Sequence, residues 1–119
     1  MATFTKKKLS GSTDGMAIKV TGTGTGSTVT VHTAVASTTT GVFDEIWLYA
    51  NNTSTSAVKL TLEWGTATAA DGNIELTIAA EAGLVLVVPG LILQNSKVVK
   101  AFAGTADVIL LSGFVNAIA

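Results

Sequence analysis

The chain has 119 residues, enough for one domain with a real core and too few for two ordinary ones. Hydrophobic residues make up 48% and charged residues only 13%, about half the usual charged share. Threonine, serine, glycine and alanine must therefore form much of the exterior, or neighbouring subunits must cover part of it. The formal net charge is −1, the seven basic residues are all lysine and there is no cysteine. This argues against nucleic-acid binding, which favours a basic excess and arginine, and it excludes disulfides and thiolate metal sites.

Residues 2–8 are polar and basic with no apolar stretch behind them, so no secretory signal is expected. The longest apolar run, residues 84–88, is far short of the ~20 residues of a membrane-spanning helix. Residues 1–10 carry Phe4, Lys6, Lys7 and Lys8 and are expected as a flexible basic arm, or a first strand, ahead of a single sandwich domain over residues 11–119. Gly11 to Gly15 is a turn cluster. Residues 16–20 predict a short strand with Met16, Ile18 and Val20 on one side. Residues 21–27 alternate threonine and glycine, as a flexible connection would. Residues 28–33 predict a strand with Val29 and Val31 inward and Thr30 and His32 outward.

Residues 34–41 read as a loop or a weak edge strand. Residues 42–50 form a strong strand carrying Phe43, Ile46, Trp47, Leu48 and Tyr49. Both of its faces are apolar, so it is expected to be central or to lie at a subunit contact. Asn51 to Ser56 is a turn. Residues 57–64 give the cleanest period of two, with Val58, Leu60, Leu62 and Trp64 on one side and Lys59, Thr61 and Glu63 on the other. A loop over 65–72 leads to a strand over 73–79. Residues 84–88 predict a buried strand closed by Pro89-Gly90, with a short strand or turn over 91–93. A strand over 97–102 follows, and a final bent strand or strand pair over 107–115 has Gly113 as its expected bulge. Eight to ten short strands and almost no helix signal predict an all-β, two-sheet antiparallel sandwich of jelly-roll type.

Reactive residues are sparse. His32, the single histidine, is expected to be exposed on a polar strand face, and no Gly-x-Ser-x-Gly elbow accompanies it. Asp44 and Glu45 are adjacent, so their side chains diverge to opposite faces. Glu63, Asp71, Glu75 and Glu81 are scattered and read as solvated strand and turn residues rather than a glycosidase pair. Asp71-Gly72-Asn73 lacks the spacing of a calcium loop, and Gly22, Gly24 and Gly26 precede no helix. Asn51 and Asn52 each begin an Asn-x-Ser/Thr triplet, expected to be unused without a secretory signal. Neither catalysis nor a cofactor or metal is expected. Trp47 and Tyr49 share a strand face and suit either packing against a neighbour or stacking on a sugar.

Phe43-Asp44-Glu45-Ile46-Trp47-Leu48-Tyr49-Ala50-Asn51-Asn52, Leu62-Glu63-Trp64-Gly65, Val88-Pro89-Gly90-Leu91 and Ser112-Gly113-Phe114-Val115-Asn116 resemble small virion proteins of tailed bacteriophages. The resemblance covers roughly residues 6–118 and is to capsid decoration, or cement, proteins. It implies a β-rich homotrimer made in the host cytoplasm and bound to the major capsid protein on the virion surface, where it clamps neighbouring subunits. Tail and head–tail connection proteins use similar domains, and no catalytic residues come with the likeness. Phe4, Lys6, Lys7 and Lys8 of the arm, and Trp47 and Tyr49, are the expected capsid or subunit contacts.

Overall fold

The computed structural model describes residues 2–119. In chain order the strands are β1 (Phe4–Lys8), β2 (Ile18–Lys19), β3 (Val29–Thr33), β4 (Phe43–Asn52), β5 (Val58–Trp64), β6 (Asn73–Ile78), β7 (Val85–Leu93), β8 (Val98–Ala103) and β9 (Ile109–Ile118), with a single 3-10 turn at Thr25–Ser27. The strands form two antiparallel sheets. Sheet A has the order β1-β9-β4-β7, with β2 also on β9, and sheet B has the order β3-β8-β5-β6. β1 and β2 occupy successive stretches of one edge of β9, β2 at Leu110 and Leu111 and β1 from Phe114 to Ile118.

Strict alternation makes this a sandwich. On β4, Ile46, Leu48 and Ala50 are fully buried while Phe43, Glu45, Trp47 and Tyr49 are half-exposed. On β5, Val58, Leu60 and Leu62 point inward. The shared core joins Ile46, Leu48, Val88, Ile109, Leu111 and Val115 of sheet A to Val31, Leu60, Leu62, Ile78 and Val99 of sheet B. Burying each of these side chains is worth about 1.5–3 kcal/mol against the entropy of ordering the chain. The molecule is elongated, 48 × 28 × 21 Å. All five residues of β1 are exposed, so sheet A extends at that end without the second layer beneath it.

The structure corrects several sequence expectations. Residues 4–8 do not hang as an arm. They take the first-strand alternative and pair with Phe114 to Ile118. The ten-residue β9 needs a partner on each edge for its backbone groups, and β1 supplies one of them. His32 is buried and not on the wet face, because a register shift between Thr30 and His32 turns the histidine inward beside Val31. β7 runs through Pro89-Gly90 instead of ending there. Proline is tolerated because β7 is an edge strand, and Gly90 absorbs a bulge at φ +82°. Gly113 marks no bulge, since the β4–β9 register is unbroken through it. A Cβ there would lie 2.0 Å from the Trp47 carbonyl oxygen, so the glycine permits close approach of the two backbones. Asn51 and Asn52 end β4 rather than forming the turn, and Asn52 is fully buried.

Candidate functional site

Across β1, β9, β4 and β7, register places one set of side chains on the outer face of sheet A. Trp47 lies opposite Phe114, Glu45 opposite Asn116, Tyr49 opposite Ser112 and Phe43 opposite Ile118. β1 continues the same rows, with Lys6 opposite Asn116 and Phe4 opposite Ile118. Phe4 is 70% exposed, and Leu86 and Ile92 of β7 extend the apolar surface at the far side. Of the expected contact residues, Phe4, Lys6, Trp47 and Tyr49 thus share one face. Lys8 starts on that face, but its ammonium turns to donate to the Ser12 carbonyl at 3.2 Å. Lys7 alternates to the opposite side.

The centre of the face is tied together by specific contacts. The Trp47 and Phe114 rings are nearly parallel, 10° apart, with centroids at 6.0 Å. The Lys6 ammonium sits 4.3 Å from the Phe114 centroid, a cation–π contact reaching diagonally across the strand pair. The Trp47 indole N–H donates to Glu45 Oε1 at 2.7 Å, and the Asn116 amide donates to the same oxygen at 3.0 Å. These two donors, the indole foremost, hold the Glu45 carboxyl below its ordinary range, against a smaller opposing effect of burial. Gly90 leaves room for the indole, since a Cβ there would stand 3.0 Å from Trp47 Cζ2. The result is a pre-arranged aromatic surface bordered by one anion, one cation and an amide.

Phe114, Glu45 and Asn116 were not singled out from the sequence as contact residues. Their signal was present in part. Adjacent Asp44 and Glu45 do diverge as expected, Glu45 to this face and Asp44 into the interior. The pairing of β4 with β9 that brings Phe114 and Asn116 alongside joins segments some seventy residues apart, and no local pattern reveals it.

A second cluster sits at the other side of sheet A. His32 Nε2 lies 2.8 Å from Asp44 Oδ2, and the same oxygen accepts the Val35 N–H at 3.2 Å. The Ser10 backbone N–H donates to His32 Nδ1 at 3.0 Å, which makes Nδ1 the acceptor and places the ring proton on Nε2. Ser10, His32 and Asp44 are the residue types of a hydrolytic triad. Yet an amide occupies the acceptor nitrogen, and the Ser10 hydroxyl accepts from the Thr33 N–H at 2.7 Å. The arrangement pins the end of β1 to β3 and β4.

Glu63 is also buried, although its strand position is outward. The threonine–glycine connection crosses it, and the Thr25 hydroxyl donates to Glu63 Oε2 at 2.5 Å. Trp64 is partly buried against the core. Among the described residues, no three His, Cys, Asp or Glu side chains are grouped to hold a metal ion, and no helix is long and apolar enough to cross a membrane. No protein-family model, curated protein or solved structure matches the chain.

Proposed function

We propose that this chain is a structural binding protein of the capsid decoration type, docking on major capsid subunits at a virion surface through the outer face of sheet A. The observation that carries the reading is the aromatic row of exposed Phe4 and half-buried Phe43, Trp47, Tyr49 and Phe114, in which Lys6 and the Asn116-bonded Glu45 hold Phe114 and Trp47 in place. Aromatic side chains ordered before contact offer large buried area at little entropic cost, which is how binding surfaces reach useful affinity. A low-charge, apolar face of this kind also suits packing against other protein subunits, including copies of the same chain in a trimer.

The winding bears on the fold alone. β1 pairs with β9, β3 with β8, β4 with β7 and β5 with β6. That is an antiparallel ribbon closed at the β5–β6 turn and rolled so that β9 meets β4 and β8 meets β5. We infer a jelly roll from this order, with β2 an added short rung. The architecture itself is neutral as to function.

In a density gradient of material from its native source, the protein should travel with assembled particles and be absent from the fraction of free capsid subunits. Recovery in the soluble fraction alone would sink the decoration reading, and recovery with tails would move the protein to the tail or head–tail connection. A carbohydrate-binding module is the second reading. It is favoured by the aligned Trp47 and Phe114 rings beside the Glu45 and Asn116 polar groups. Glycan-array binding that disappears in Trp47→Ala would select it.

A further inference from the structure

The two edges of sheet A differ in regularity. β7 is an interrupted edge, with Pro89 lacking an N–H and two register shifts against β4. β1 is a regular edge, containing neither proline nor bulge, paired in unbroken register with β9 and with nothing beyond it in the sheet. Thr3 and Ala119 exchange both backbone hydrogen bonds, at 2.6 and 2.9 Å. Antiparallel alternation then directs Thr5 and Lys7 toward β9, and leaves the N–H and C=O groups of Phe4, Lys6 and Lys8 pointing to the free edge. These are the same residues whose side chains start on the outer face with Trp47 and Phe114.

Charge decides what this edge accepts. Three of the five β1 residues are lysine and none is acidic. A second copy added antiparallel through its own β1 would set lysines against lysines, which is destabilising. An extended segment carrying carboxylates meets no such penalty. Its backbone can complete the unpaired groups of Phe4, Lys6 and Lys8 while its acidic side chains lie beside the ammonium groups.

We propose that β1 is a docking edge for an extended acidic segment of another protein, which joins sheet A as an additional strand next to the aromatic face. This deepens the structural-binding reading above and rests on it, but it holds for a capsid subunit or any other protein partner.

The test uses the intact chain and a soluble peptide alternating glutamate and threonine, with the lysine–threonine counterpart as control. Amide hydrogen exchange followed by NMR should show the Phe4, Lys6 and Lys8 N–H groups gaining protection when the acidic peptide is added. Those of Thr5 and Lys7 should be protected already. Lys6→Ala should weaken peptide binding roughly 2- to 5-fold, and Lys8→Ala less, because the Lys8 ammonium is already held by the Ser12 carbonyl. Lys6→Pro removes an outward N–H while sparing the bonds to β9, and should weaken binding about 2- to 10-fold beyond Lys6→Ala.

Equal binding of the lysine peptide would overturn the proposal. So would binding of the acidic peptide without protection of the three amides, which is charge attraction only. Concentration-dependent protection of those amides in the free protein would give the edge to a second copy and overturn it as well. Failure here with particle association intact rejects the docking edge alone. Strand addition with no particle association rejects the virion role alone.

Discussion

The outer faces of the two sheets obey the same alternation and carry opposite chemistry. Sheet B exposes Thr30, Lys59, Glu75, Thr77 and Lys100 on its outer side, where Thr61 and Glu63 are buried and half-buried Phe102 is the aromatic. Lys59 and Glu75 form an exposed ion pair at 2.7 Å, and the 3-10 turn lays Thr25 over Glu63. This is a face finished for solvent, with part of it covered by the chain itself. Sheet A presents Phe43, Trp47, Tyr49, Phe114 and Ile118 with few charges, and the Trp47 and Phe114 rings stack on one another there. Both sheets bury their other side in one core, so folding does not require the aromatic row. Its cost in solubility is the argument that it serves an external contact.

The largest effects should come from the shared interior. Leu48 of sheet A and Leu62 of sheet B are both fully buried. Alanine at either should cost about 2–5 kcal/mol by urea denaturation, whereas Trp47→Ala, on the outer face, should cost about 1 kcal/mol or less. A Trp47→Ala loss as large as that of Leu48→Ala would break the distinction and make the aromatic row part of the core.

Next in size is the joint where β4 leaves sheet A. The Asn52 amide donates to the Ser56 and Ile78 carbonyls at 2.8 and 3.0 Å, and its oxygen accepts the Ser54 N–H at 3.0 Å. Asn52→Ala strands these groups and should cost roughly 1–3 kcal/mol. The lid on sheet B should matter less. Thr25→Val removes the hydroxyl from Glu63 and should cost about 1.5 kcal/mol, at the low end for a bond to a charged group because Thr25 is exposed. Faster amide exchange at residues 23–27 in that variant would confirm that the bond holds the connection down.

Most strands were legible from local patterning. β5 and β6 have clean alternation and emerged within a residue or two of their bounds, and the two apolar faces of β4 marked it as central. What escaped was decided by long-range pairing. The inward turn of His32 depends on how β3 registers with β8, and its partner Asp44 lies on the other sheet. Burial of Glu63 depends on a connection thirty-eight residues earlier folding back. The candidate face divides the same way. Trp47 and Tyr49 were visible as alternate residues of one strand, but their alignment with Lys6 and Phe114 exists only through β9.

The smallest expected effects separate the two outer faces by the origin of their electrostatics. Glu45 and Glu75 both have carboxyl pKa values below the ordinary range, for different reasons. Glu45 is held down by neutral donors, the Trp47 indole and then the Asn116 amide. Glu75 is held down by the Lys59 ammonium, through its hydrogen bond and then its charge. In each case the stabilisation is fully present above the unfolded carboxylate value of about 4.3 and is lost as pH falls through the lower folded value. Salt should discriminate between them. Raising ionic strength screens an exposed ion pair and should move the Glu75 titration back toward 4.3. Hydrogen bonds from uncharged groups are not screened in this way, so the Glu45 titration should stay in place. Side-chain carboxyl shifts followed by NMR at low and high salt would read both groups in one sample, with Glu45→Gln assigning the first. A Glu45 titration as salt-sensitive as that of Glu75 would mean that Lys6, and not the indole, sets the charge at the aromatic face, and would place an ion pair at the centre of the proposed contact.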